Sequence, residues 1–258
     1  MKPPEAVEDV WVTSPMHYSH FYRFCSSVGQ SKTLIMLRSW VQAPPEPQFN
    51  DICYMKQFIF TEKEAEKFFF TSDTHFGHTN IIKYCKRPFK SVEEHDEELI
   101  KRWNKKVSKD DIVFHLGDVA FGCPQYVGNI LNQLNGKIYL VIGNHDWRNY
   151  KLFNNRYEIV TQQINMKIGK RNIILNHYPM LAYAGAWRGV DATYQLFGHV
   201  HTSPYTDEGL DQQRMKYLFT SQYDVGVDNN NFTPVSWKEV DQIINNQMMS
   251  LGMCRNEL

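Results

Sequence analysis

Five short segments concentrate side chains able to hold metal ions: Asp73-Thr74-His75, Gly117-Asp118, Gly143-Asn144-His145-Asp146, Asn176-His177 and Gly198-His199-Val200-His201. Carboxylate, amide and imidazole donors are mixed in them. Such a set suits manganese, iron, zinc or nickel better than magnesium, which prefers oxygen shells, or calcium. Hydrolysis of a phosphate ester near neutral pH needs a hydroxide made from water and positive charge against the phosphoryl oxygens. Two divalent ions about 3.5–4 Å apart supply both, and a shared carboxylate must hold them at that spacing. Asp118 is the natural bridge. Glycine beside three of the segments, at Gly117, Gly143 and Gly198, predicts tight turns where backbone comes close to metal or phosphate.

Elements must position these residues, and apolar runs precede them. Strands are predicted at Phe68 to Thr71 ahead of Asp73, Ile112 to Leu116 ahead of Gly117 and Lys137 to Ile142 ahead of Gly143. Others are predicted at Gln163 to Ile168, Arg171 to Leu175, Gln195 to Phe197 and Tyr223 to Val227. Ser91 with Glu94 makes a capping box for a helix to about Val107, whose apolar face is Leu99, Ile100 and Trp103. Pro124 opens a helix to about Leu134, and a closing helix runs from Ser236 to about Met248. The rhythm β, α, β, α, β, followed by strands with no helices between them, predicts an α/β fold. It is a mixed sheet or two packed sheets with helices outside, its ligands meeting at the carboxyl ends of the strands.

The order DxH, GD, GNH(D/E), H and GHxH resembles the calcineurin-like metallophosphoesterases. The likeness runs from about Lys67 to Val240. The phrase from Phe70 to Pro88, with His75, Gly77, His78, Asn80 and Ile81, is similar to a small prokaryotic and phage subgroup. The resemblance implies a layered fold of two packed mixed β-sheets flanked by helices. It implies two divalent metal ions, manganese first, with iron, nickel and zinc as alternatives. Asp73, His75, Asp118 and His201 would hold the first ion; Asp118, Asn144, His177 and His199 would hold the second. A metal-bridging hydroxide would attack, with His145 contacting the phosphate and protonating the leaving oxygen. Asp146 either orients His145 or serves the fold.

The protein-phosphatase branch of that family reads GDxxDRG and GNHE, where this chain has Gly117-Asp118-Val119-Ala120-Phe121-Gly122 and ends its third motif in Asp146. The missing arginine grips a phosphomonoester in that branch, so a phosphodiester is expected here, in a nucleotide or another small substrate. A nuclease acting on DNA or RNA is the alternative. A non-catalytic protein-binding scaffold would show substitutions at the ligand positions, and none of the seven is missing.

Lysine plus arginine equals aspartate plus glutamate at 28 each, so no global field draws the chain to polynucleotide or anionic membrane. No run approaches the roughly 20 apolar residues of a membrane span. Met1 to Val7 shows no basic region leading into a signal core, and a cytoplasmic protein is expected. The scattered Cys25, Cys53, Cys85, Cys123 and Cys254 read as free thiols outside the mechanism. Residues 1–66, rich in proline and carrying His17 and His20 without neighbouring ligands, read as an N-terminal extension ahead of a phosphoesterase domain at 67–250. His78 faces the site or serves structure, His115 serves structure, and His95 is expected to be solvated. Arg148, Lys151, Arg156, Lys167, Lys170 and Arg171 form a solvated basic face or an arm that guides a polyanion. Trp187 and Arg188 are candidates to line a pocket, and Asp228 and Asn229 to serve turn chemistry, with an acid supporting the metal ligands as the alternative for Asp228.

Overall fold

A computed structural model describes residues 58–202 and 217–250. The chain divides into units at 1–54 and 55–258, and every described element belongs to the second. Two five-stranded sheets make its frame. One takes, in spatial order, β1 (Phe58–Phe60), β6 (Gln163–Ile168), β7 (Arg171–Asn176), β8 (Tyr194–Phe197) and β9 (Gln222–Asp224). The other takes β10 (Val235–Ser236), β2 (Phe68–Thr71), β3 (Ile112–His115), β4 (Lys137–Val141) and β5 (Ile159–Thr161). The pairs β6–β7 and β10–β2 are antiparallel and the others parallel, so both sheets are mixed. Helices α1 (Glu62–Ala65), α2 (Thr79–Tyr84), α3 (Val92–Lys106), α4 (Pro124–Leu131), α5 (Tyr150–Arg156) and α6 (Trp237–Ser250) complete the layered α/β fold that the motifs implied.

The phenylalanine run of β2 shows how the layers form. Successive side chains of a strand point to opposite faces. Phe68 and Phe70 join Phe114, Leu116, Ile164, Met166 and Ile168 in a core shared by both sheets. Phe69 points the other way, with Trp103, Val107, Val113 and Ile138. Burying each such ring contributes about 1.5–3 kcal/mol, so a one-residue slip of β2 would exchange both faces at once. At the start of α3, the Ser91 hydroxyl accepts from Glu94 N as expected, but the Glu94 carboxylate takes the amide of Lys90. Only half of the capping box forms.

The long predicted elements are present with ends shifted by a few residues: β3 stops at His115, α4 at Leu131 and β9 at Asp224. The unforeseen β1, β5, β10, α1, α2 and α5 are all short, and a short run shows no clear period. β1 lies inside the segment read as an extension, yet it pairs with β6, so the sheet begins before Lys67. His17 and His20 lie outside the described residues. Among the described residues no helix is long and apolar enough to cross a membrane.

The loops after β2 and β3 join each other and those after β7, β8 and β9 through backbone bonds, and the Asp118 carboxylate draws in the loop after β4 by accepting His145 N. Asp73 N donates to Gly117 O, His75 N to Asp118 O, Gly198 N to His177 O and Val227 N to Ser72 O. All five ligand-rich segments thus share one crevice.

Candidate metal centre

Strained backbone is concentrated in this crevice. Five of the eight non-glycine residues with positive φ among the described residues are Asp73 (57°), His75 (51°), Asp118 (55°), His199 (70°) and His201 (48°). Each such conformation costs on the order of 1–3 kcal/mol and persists only where surroundings enforce it. The three glycines act as their positions suggest. Gly117 has φ 102°, and a side chain there would meet Gly143 N and His177 Nδ1. A Cβ at Gly143 would run into Asp118, and one at Gly198 into Ser72 and Asp73.

Asp118 sits between two groups of donors. Its Oδ2 lies 3.6 Å from His75 Nε2 and 3.6 Å from His177 Nε2. On one side the donor atoms of Asp73, His75 and His201 fall within 4.8 Å of one another; on the other, those of Asp118, His177 and His199 do. Asp73 Oδ1 is 3.9 Å from both His75 Nε2 and His201 Nε2, and its Oδ2 accepts the amide of His199 at 2.9 Å.

Three observations fit cations at these positions. Asp73 Oδ1 and His75 Nε2 are buried without a hydrogen-bond partner, which is costly unless an ion satisfies them. His177 Nδ1 lies 2.7 Å from Leu116 O, so it carries the proton and leaves the Nε2 lone pair 3.0 Å from Asn144 Oδ1. Two acceptors face each other there, an arrangement that a shared cation satisfies. Burial also pushes the Asp118 carboxyl up to about 6, with the charge of Asp73 adding to the effect and His177 opposing it. A divalent neighbour reverses that preference. Burial holds His75 well below the usual histidine value, reinforced by His201 and Arg87. For His201, burial opposes charge, but the Asp73 carboxylate and the bond to Asp228 outweigh it and raise its value well above the ordinary one.

His145 belongs to neither donor group. Its backbone amide donates to Asp118 Oδ1 at 2.9 Å, and its exposed ring stands 5.8 Å from that of His75 and 5.0 Å from Phe121. Asp146 serves the fold: its carboxylate accepts Asp118 N, Val119 N and Gly143 N at 2.8, 2.9 and 2.8 Å, fastening the second and third segments together. His78 stacks on Phe121 at 4.1 Å, with its Nδ1 3.4 Å from that of His75. Tyr178, which sequence reasoning passed over, lies edge-on to His177 and His199 while remaining 45% exposed.

Several sequence expectations need correction. His95 is fully buried on the inner face of α3, with Nδ1 2.7 Å from Asp96 Oδ1 and Nε2 2.7 Å from Arg87. Asp228 is buried and bonds Arg87 and His201, beyond any turn role, whereas Asn229 does serve the turn by donating to Asp224 O. Cys85 is a free thiol, as the sequence suggested, and is buried beside His201 and Asp228. Asp224, also buried, accepts Thr202 N and Gly226 N; burial and the nearby Asp73 charge push its carboxyl up to about 6. The basic residues do not form one patch. Arg148 precedes α5 and Lys151 lies in its first turn, while Lys167 and Arg171 sit on β6 and β7, where Arg171 lies over Tyr194 and pairs with Asp241. Trp187 and Arg188 are exposed in the loop between β7 and β8. Arg87 carried no signal beyond its place in the Phe70 to Pro88 phrase, since one arginine shows neither period nor ligand spacing.

Comparison with known proteins places the chain in a family. A model of the calcineurin-like phosphoesterase superfamily domain matches residues 67–219, which include every candidate ligand. An uncharacterized protein of Methanocaldococcus jannaschii is 32% identical over 180 residues, covering 69% of this chain and 91% of that protein. The gene 66 protein of Mycobacterium phage L5 is 29% identical over 162 residues, covering 52% of this chain and 76% of its own. Among solved structures, a protein of unknown function from Aquifex aeolicus shares the fold at a TM-score of 0.54 and 22% identity, covering 68% of this chain and 98% of that one. The chain belongs to the calcineurin-like phosphoesterase superfamily, a family of metal-dependent phosphoesterases.

Proposed function

We propose that this protein hydrolyses a phosphodiester in a small substrate such as a nucleotide, using two divalent cations, manganese first. Asp73, His75, Asp118 and His201 hold one; Asp118, Asn144, His177 and His199 hold the other. The observation that carries the reading is Asp118 Oδ2, equidistant at 3.6 Å from an imidazole nitrogen of each group. When bound, the pair of cations supplies a nucleophile from water and positive charge against the phosphoryl oxygens.

The chain's own residues do the rest. Asp118 ties the two donor groups and, through the His145 amide, fixes the general acid beside them. Phe121 packs against the rings of His75, His78 and His145, so the exposed imidazole stands at the mouth of the crevice, where it can protonate the leaving oxygen. The diester preference rests on the residues that follow Asp118, Val119-Ala120-Phe121-Gly122, where the phosphatase branch carries an arginine. Val119 and Ala120 are buried and apolar, and Arg87 commits its guanidinium to Asp228 and backbone carbonyls. Among these described residues none offers a free cation to the second negative charge of a monoester.

Bis-p-nitrophenyl phosphate and p-nitrophenyl phosphate, offered to metal-stripped protein with manganese, nickel, zinc or magnesium added back, test this. Diester cleavage restored by manganese is the expected result. Cleavage of the monoester alone would overturn the diester assignment.

A further inference from the structure

The geometry points to Arg87 as a positioning residue that sets the binding strength of one of the two cations, the one held by Asp73, His75 and His201, and leaves the other untouched. The inference rests on the metal-centre reading above. The Arg87 side chain is fully buried, and three of its partners, Asp228, Asp73 and Thr74, lead to the ligands of that cation. Nε and one terminal nitrogen grip both oxygens of Asp228 at 2.8 and 2.7 Å, a bidentate fork. The same nitrogen donates to Asp73 O at 2.8 Å, and the other to Thr74 O at 3.1 Å. These carbonyls belong to the turn in which Asp73 and His75 adopt positive φ, so the guanidinium pins a strained backbone from beneath.

Through Asp228 it also reaches His201. Asp228 Oδ2 lies 2.8 Å from His201 Nδ1, and a carboxylate held by arginine accepts, so Nδ1 carries the proton and the Nε2 lone pair is turned toward Asp73 Oδ1. Arg87 is held in turn from behind. It can only donate, so His95 Nε2 accepts from it and His95 Nδ1 donates to Asp96. Asp96 further accepts Gly77 N and the Tyr126 hydroxyl, at 2.9 and 2.6 Å. A buried ion pair of this kind adds little net stability over an apolar replacement, so its value is in geometry. On the other side His177 is oriented by the carbonyl of Leu116, and Asn144 and His199 are exposed.

The test titrates metal-stripped wild type, Arg87→Lys and Asp228→Asn with cobalt(II), reading bound metal by atomic emission and by visible absorption. Arg87→Lys keeps the charge and loses the fork; Asp228→Asn keeps the shape, and carries the test if the lysine variant does not fold. Wild type is expected to take up two cobalt ions. Each variant should keep one at wild-type affinity and bind the other about 10- to 100-fold more weakly. The remaining spectrum should match that of His201→Ala and differ from that of His177→Ala. Two cobalt ions bound at wild-type affinity, or equal weakening of both, would overturn the inference. A wild-type chain that takes up no cobalt would overturn the metal-centre reading itself, and this inference with it.

Discussion

The two sides of the crevice are built by different means. The side of Asp73, His75 and His201 is closed: Asp73 and His75 are buried, and Arg87, Asp228, His95 and Asp96 form a charged, hydrogen-bonded layer behind it. The side of Asn144, His177 and His199 leans on a backbone carbonyl and keeps two of its three donors at the surface, beside the exposed ring of Tyr178. Fixed charge around a ligand set gives a geometry that changes little on binding, whereas an open rim admits and releases substrate. The contrast assigns the closed side to holding and the open side to exchange.

Asp118 joins the two sides, so its removal is the most severe way to break the contrast. Asp118→Ala is expected to lose both cations together and to lower diester turnover by about a thousandfold or more, since metal stabilisation contributes several kcal/mol. Retention of either ion, counted by atomic emission, would show that the carboxylate is no bridge. His145 should separate chemistry from binding. His145→Ala is expected to lower turnover by about 10²–10⁴-fold, the usual contribution of a general acid, with metal content unchanged. Loss of metal in that variant would move His145 into the ligand set.

What the sequence made legible is uneven in the same way. The donors could be read because they stand in short motifs at strand ends, where the chain itself sets their spacing. β6 and the helix from Val92 were legible because burial repeats along them with a period, and β2 because it is a continuous apolar run buried throughout. The layer behind the closed side was not. Arg87, His95 and Asp228 are separated by 8 and 141 positions and meet only through tertiary packing. His95 lies among glutamates, which suggested solvent, yet it falls one turn before Leu99 and shares its buried face. Edge elements such as β1 and β10 were invisible for want of length.

A smaller effect should come from beneath the open side. Asp146 holds three amides of the loops that carry Asp118 and Asn144. Asp146→Asn turns an amide group toward donors that need an acceptor. It is expected to cost about 1–3 kcal/mol of unfolding free energy, read by urea denaturation. An unchanged midpoint would mean that these loops hold themselves.

The mildest prediction concerns His115, which supports the joint between the closed side and the bridge. Its Nδ1 lies 3.2 Å from Gly117 N, a donor, and its Nε2 lies 3.0 Å from Thr74 Oγ1, whose own proton goes to Val119 O. The neutral ring therefore satisfies both neighbours, and a second proton would face an N–H. Burial pushes its value down to about 3 from an ordinary 6.5. Between those values the unfolded chain binds a proton that the folded chain refuses, so stability falls as pH drops below 6.5, by up to about 1.4 kcal/mol per pH unit. His115→Gln costs stability at neutral pH, and its deficit against the wild type should shrink as acid is added. Denaturation of both metal-free proteins at pH 7, 6 and 5 reads the difference; parallel curves would mean that the ring titrates freely and that the joint does not depend on its neutral form.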